Sequence, residues 1–223
     1  MTAPAAPEAF LFDLDGTLVD TLGTRVAAWL DIFEQEGIPA DPEFVAPLMG
    51  SDGRFAVRQV AERAKITIDD VRIADIDDRA GVRFSELNHS PRALPGVAAL
   101  LTYLGTADIA WAVATSSRPG QVQASIDALG LEVQPMVTDG SHVEHAKPAP
   151  DLLLNAAKQM GREPAGMWYV GDAKWDMLAA VAAGMTAIGV LTGATSAEIL
   201  AESGATAIFA DLQALHERLA GTG

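Results

Sequence analysis

Short apolar runs recur along the chain at residues 9–12, 109–114, 136–137, 167–170 and 186–190, each ending in small or polar residues. Runs of this length and pattern are the signature of strands buried on both faces. Helical patterns lie between them. Residues 97–104 follow Pro95-Gly96, while 121–129, 151–160 and 176–183 stop at Gly130, Gly161 and Gly184, where a glycine suits a helix C-terminus. Strand and helix alternating at this pitch predict parallel βαβ units in a doubly wound, Rossmann-like α/β sheet. Ligands of such sheets bind beyond the carboxyl ends of the strands, which directs attention to Asp13, Thr115, Asp139 and Asp172.

Residues 21–90 break the alternation. Their pattern is helical throughout, at 25–36, 42–48, 53–64 and 68–87, with no buried strand. This predicts a sheet domain built from residues 1–20 and 91–223, interrupted after its first strand by a helical domain of residues 21–90.

Composition narrows the function. The chain has 223 residues, 49% of them hydrophobic, enough for one substantial core with an insertion. Thirty acidic against 15 basic residues give a net charge of −15, which argues against a nucleic-acid partner, because polyanions are held by basic stripes. Cysteine is absent, so thiolate metal sites and cysteine nucleophiles are excluded, and a reducing compartment fits. The opening residues 1–7 lack a basic region, and the apolar run after them is broken by Asp13 and Asp15, so a short flexible arm is expected and not a signal peptide. No stretch approaches the roughly 20 apolar residues that span a membrane. The expected location is the cytoplasm.

Four motifs carry chemistry. In Phe10-Leu11-Phe12-Asp13-Leu14-Asp15-Gly16-Thr17-Leu18, two carboxylates close an apolar strand, where they are costly unless a cation or hydrogen bonds compensate them. Alone, the pair also fits an ordinary strand-to-loop turn. Asp172 follows a second strand, and Asp176 lies one helical turn on; alone, they also fit an N-cap and a first-turn acid. Lys147 stands in Ala146-Lys147-Pro148-Ala149-Pro150, and Thr115-Ser116-Ser117 follows the strand at 109–114. A lone lysine is usually solvated, and a Thr-Ser-Ser run is usually a polar loop. Together the four offer several carboxylates, one cation and hydroxyls at strand ends. That set suits Mg²⁺ sharing its shell with a phosphate, and the lysine and hydroxyl supply donors to that phosphate.

The order DxDGT, strand-Thr, Lys-Pro and GDxxxD resembles the haloacid dehalogenase superfamily, over nearly the whole chain from Phe10 to about Leu215. The resemblance implies a Mg²⁺-dependent phosphatase. Asp13 would be the nucleophile forming an aspartyl-phosphate and, with one oxygen, a metal ligand. Asp15 would protonate the leaving alcohol and then activate water, its backbone carbonyl also on the metal. Asp172 would give the metal a carboxylate, and Asp176 would hold a metal-bound water or orient Lys147. Thr115, with the N–H of Ser116, would bind the phosphoryl oxygens, and Lys147 would offset the charge of Asp13 and the phosphoryl group. One residue attacks while another moves the proton, so both carboxylates of the first motif are needed.

The helical insertion resembles the cap of the subgroup that contains phosphoglycolate phosphatases and β-phosphoglucomutase, which would close over the site and exclude water. Met49-Gly50-Ser51-Asp52-Gly53-Arg54 falls at the cap loop of that subgroup, making Arg54 a candidate for binding a substrate carboxylate or hydroxyl; a solvated first-turn arginine is the alternative. Arg25 occupies the place where mutase-type members carry a histidine, which weighs against a sugar-phosphate mutase. The presence of Asp15 weighs against a dehalogenase proper. A non-enzymatic phospho-acceptor module of the receiver type would lack the DxDGT motif and the long cap, and against a module that only binds a ligand stands the expected residue at every catalytic position. His89, His142, His145 and His216 make no metal set by spacing, and Trp175 is placed to face the cap. The expected partner is a small phosphorylated metabolite, and the expected state a monomer or homodimer.

Overall fold

Phe10 and Phe12 belong to one cluster of buried side chains and Ala9 and Leu11 to another, and all four are fully buried, so the first apolar run lies inside a sheet covered on both faces. The computed structural model describes residues 6–221, so the arm expected at 1–7 lies, except for its last two residues, outside the described residues. The sheet strands are β1 (Ala9–Phe12), β4 (Ala110–Ala114), β5 (Val137–Thr138), β6 (Met167–Gly171), β7 (Thr186–Val190) and β8 (Ala207–Phe209). They run parallel in the order β5-β4-β1-β6-β7-β8, with Phe12 opposite Val113 on one side and Val170 on the other. β1 is therefore central, at the point where the strand order reverses, and such a point opens a crevice beyond the carboxyl ends.

One face is covered by α5 (Val97–Thr106), α6 (Pro119–Asp127) and α10 (Leu212–Ala220), whose Leu100, Leu104, Ile126 and Leu215 pack on Phe10, Phe12 and Val170. The other is covered by α7 (Asp151–Met160), α8 (Lys174–Ala183) and α9 (Ala197–Glu202), which pack Leu153, Ala157, Ala180 and Leu200 on Leu11, Ala112 and Tyr169.

The insertion contains α1 (Leu22–Gln35), α2 (Pro42–Val45), α3 (Gly53–Arg63) and α4 (Asp70–Leu87). Asp41, Asp52 and Asp69 start the last three by accepting the backbone N–H of Phe44, Phe55 and Arg72. Their buried side chains form a separate cluster that includes Trp29, Phe33, Val57 and Ile76. The chain enters and leaves through a two-residue antiparallel ribbon, β2 (Val19–Asp20) against β3 (Arg92–Ala93).

The helix expected over 42–48 is split, α2 giving way to a 3-10 turn at Ala46–Leu48, because Pro47 lacks the N–H that would continue the α ladder. The strand β8 and the helices α9 and α10 were not expected. β8 is three residues long, partly exposed and at the sheet edge, and α9 is six residues long, so neither leaves a clear periodicity. Among the described residues no helix is long and apolar enough to cross a membrane.

Candidate active site

The sharp turn after β1 decides where its carboxylates go. Gly16 has φ +85°, a conformation that side chains other than glycine's rarely adopt, and a Cβ there would fall 2.8 Å from the Asp172 carboxylate. The turn places Asp13 between β4 and β6, and the Asp13 N–H donates to the carbonyl of Val170 at 2.9 Å.

Lys147 arrives from the loop ahead of α7 with its side chain fully buried. Its ammonium donates to Asp13 Oδ1 at 2.6 Å, Asp176 Oδ1 at 2.7 Å and the Tyr169 hydroxyl at 2.8 Å, which uses all three of its protons. Tyr169 can then turn its own hydrogen to Ala114 O or Asp176 Oδ1, both 3.2 Å away. Asp176 Oδ2 accepts the N–H of Ala173 at 3.0 Å, at the start of α8. Both oxygens of Asp176 are thus engaged, and of its two expected roles this geometry favours orienting Lys147. Asp172 Oδ1 accepts the Thr17 hydroxyl at 2.8 Å.

The floor carries more negative charge than Lys147 can neutralise. Burial pushes the Asp13 carboxyl up to about 7; Lys147 outweighs the repulsion from Asp176 and Asp15 but does not offset the burial. Burial also drives Asp172 well above the ordinary carboxylate range, reinforced by Asp176 and Asp13. For Lys147 burial acts against the charge, but Asp13 and Asp176 outweigh it and hold the ammonium well above its ordinary value. Oxygen atoms of Asp13, Asp172 and Asp176 lie within 4.8 Å of one another, a buried all-oxygen group that fits a hard divalent cation. A cation there would reverse the repulsion that raises Asp13 and Asp172.

Asp15 faces the opposite way, toward the insertion. Its Oδ1 accepts the Thr21 hydroxyl at 2.8 Å, and its Oδ2 accepts Arg25 at 2.7 Å and the Ser117 hydroxyl at 2.6 Å. The same arginine nitrogen reaches Ser117 Oγ at 2.7 Å, and the guanidinium lies 3.7 Å over the Phe84 ring of α4. Arg25 therefore joins α1, α4 and the strand-end loops at one carboxylate.

The cavity between sheet and insertion is lined by Asp13, Asp15, Thr115, Ser116 and Asp172 below and by Met49, Ser51, Asp52 and Asp77 above. Thr115 is buried, and its hydroxyl accepts the Ser117 N–H at 3.1 Å. Trp175 faces the insertion as expected, its indole N–H on Pro47 O at 3.1 Å and its ring edge-on to Phe55. Arg54 does not: it is exposed on the first turn of α3 and does not line the cavity, because the helix turns the neighbouring Gly53 and Asp52 toward the site. Asp139 accepts the Ser141 N–H and does not line the cavity either. His145 pairs with Asp151 on an exposed loop, and His216 packs edge-on to Tyr103.

Four residues of the site were given no role in the sequence reading. Tyr169 was hidden as one more aromatic in an apolar strand, although Leu11 and Ala112 on its face of the sheet have no polar tip. Thr17 and Ser117 stood inside the motifs without a role. Arg118, which donates to Asp77 at 2.7 Å across 41 residues, left no local signal.

The family model for haloacid dehalogenase-like hydrolases matches residues 10–190. Hexitol phosphatase A of Escherichia coli is 32% identical over 188 residues, covering 82% of each chain. A phosphoglycolate phosphatase of Rhodospirillum rubrum is 32% identical over 225 residues, covering 96% of this chain and 91% of that protein. The crystal structure of a hydrolase from Pseudomonas syringae superposes with a TM-score of 0.89 at 31% identity, covering 96% of this chain and 98% of that one. The chain belongs to the haloacid dehalogenase-like hydrolases.

Proposed function

We propose that this hydrolase is a Mg²⁺-dependent phosphatase that cleaves a small phosphate monoester through an aspartyl-phosphate on Asp13. The observation that carries the reading is the arrangement of Asp13: a carboxylate at the end of the central strand, buried, gripped by Lys147 on one oxygen and open to the cavity. The phosphatase names of the relatives point the same way.

In the first step the free oxygen of Asp13 attacks phosphorus, the bond from phosphorus to the ester oxygen breaks, and Asp15 delivers a proton to the departing alkoxide. In the second step Asp15, now a carboxylate, takes a proton from water as that water attacks phosphorus. The Asp13–phosphorus bond then breaks, releasing inorganic phosphate and restoring Asp13. Thr115 and the N–H of Ser116 hold the phosphoryl oxygens, and Lys147 balances the charge that gathers on them. Mg²⁺, held by Asp13, Asp172 and the Asp15 carbonyl, would supply electrostatic stabilisation to the transferring phosphoryl group. Residues 21–90 act as a cap that keeps bulk water from the aspartyl-phosphate. The cysteine-free composition fits a cytoplasmic location.

The test is release of phosphate from p-nitrophenyl phosphate with Mg²⁺ and with chelator. Turnover that needs the metal, and that Asp13→Asn lowers by about 10⁴-fold or more, is expected. Wild-type activity in Asp13→Asn would overturn the assignment of the nucleophile.

A further inference from the structure

The cavity must also hold the part of the substrate that is not phosphate, and its upper lining states what that part can be. Two arginines line the cavity among the described residues, and both are committed. Arg25 is held by Asp15 and Ser117, and Arg118 donates to Asp77 at 2.7 Å and to Asp78 at 2.5 Å. The Lys147 ammonium, behind Asp13, has no proton left to give.

Lining the cavity from the cap side are two acidic residues, Asp52 and Asp77, and both are held in place, Asp52 by the Phe55 N–H and Asp77 by Arg118. A Cβ on Gly53 would lie 1.9 Å from Asp77 Oδ1, so only glycine leaves room for that carboxylate against the first turn of α3. In the same way a Cβ on Gly81 would lie 2.3 Å from Gln121 Nε2, and its absence admits the amide to the cavity. Burial raises the Asp77 carboxyl despite the attraction of Arg118, and Asp52 and Asp78 add repulsion, so this corner already holds more negative charge than it can compensate.

A leaving group with a carboxylate or a second phosphate would bring acceptors only, to a wall of acceptors with no uncommitted cation. Hydroxyl groups bring donors. Each hydroxyl placed on Asp52 or Asp77 makes a charge-assisted hydrogen bond, and Gln121 can donate to its oxygen.

We propose that the substrate is the phosphate ester of an uncharged polyol, a sugar or alditol phosphate, with Asp52 and Asp77 receiving its hydroxyls and repelling esters that carry a second anionic group. This rests on the phosphatase reading above and narrows it, setting the chain apart from its phosphoglycolate-named relatives and beside its hexitol-named one.

The experiment measures kcat/KM by phosphate release for glucitol 6-phosphate and fructose 1-phosphate against 2-phosphoglycolate and fructose 1,6-bisphosphate, with p-nitrophenyl phosphate as a reference ester. The polyol monophosphates should be preferred by at least about tenfold. Asp77→Asn, which removes one of the two carboxylates that hold Arg118 and leaves only Asp78, and Asp52→Asn, which keeps the helix cap, should each shift the ratio toward phosphoglycolate by about tenfold. Hydrolysis of p-nitrophenyl phosphate together with phosphoglycolate or the bisphosphate preferred, or with a ratio that neither variant moves, overturns the inference and leaves the phosphatase reading standing. No turnover of any ester, p-nitrophenyl phosphate included, overturns both.

Discussion

The floor and the roof of this one cavity are charged alike but built differently. On the floor, Asp13 and Asp176 grip a lysine with no exposed side-chain surface beside Asp172, and each carboxylate is fixed by a strand end or the first turn of α8. On the roof, Asp77 is tied to an arginine that is 44% exposed and belongs to a different element, α4 meeting the start of α6. Removing the one counter-ion from a buried cluster of like charge is costly. An ion pair whose cation stays in contact with water contributes less stability and can be retuned. The difference separates the chemistry, which the sheet fixes, from the choice of substrate, which the cap can vary at small cost.

Removing one cation from each level is the most direct way to break this comparison. Lys147→Met strands Asp13 and Asp176 as buried uncompensated charges and should destabilise the protein by about 3–5 kcal/mol in chelator, with activity lost. Arg118→Gln should cost less, about 1–2 kcal/mol, since the arginine and Asp78 are exposed, although the largely buried Asp77 loses its cation. Urea unfolding of both variants decides it: equal losses would mean that roof and floor are one electrostatic unit.

The two levels also differ in how far the sequence disclosed them. Asp13, Asp15 and Asp172 were legible because each follows an apolar run whose length and direction fix a strand end, and the sheet rule then collects strand ends at one edge, whereas Lys147, in a loop, was legible only through its Lys-Pro motif and the order of the four motifs. Strand β1 and helix α7 fall at the residues expected for the same reason: glycines and charges bound an unambiguous period. The roof gave no such signal. Asp77 and Arg118 sit on helix surfaces among many charged residues, and what pairs them is the docking of α4 on α6, a tertiary event with no trace in local spacing. Arg54 was singled out as the one arginine of the cap loop, but the rotation of α3 that turns Gly53 inward turns Arg54 outward.

Arg25 is the joint between the levels, and a smaller effect is expected there. Its guanidinium holds Asp15 at 2.7 Å from the cap side while lying over Phe84, so the contact that ties α1 and α4 together also positions Asp15, the proposed proton-transfer group. Arg25→Ala should lower kcat by about 10–100-fold with a lesser change in KM, because Asp15 loses a positioning donor while the substrate loses no contact. Arg25→Lys should recover only part of this, since an ammonium cannot grip Asp15 and Ser117 while stacking on the ring. A rise in KM with kcat preserved would make Arg25 a substrate contact, and the pH profile of kcat, which reports the acid and base of the bound enzyme, should change shape in Arg25→Ala only if Asp15 is the group it positions.

The smallest effect is expected at Arg54, and it sharpens the comparison most. If the roof selects its substrate with Asp52, Asp77 and the paired Arg118, then an exposed arginine one residue beyond Gly53 has no part in selection. Arg54→Ala should leave kcat/KM for glucitol 6-phosphate and for 2-phosphoglycolate each within about twofold of the wild type, the range of an ordinary surface substitution. A selective loss on phosphoglycolate would mean that α3 rotates during turnover and brings the guanidinium into the cavity. The roof would then carry an uncommitted cation, and its acidic lining could no longer account for discrimination against a second negative charge.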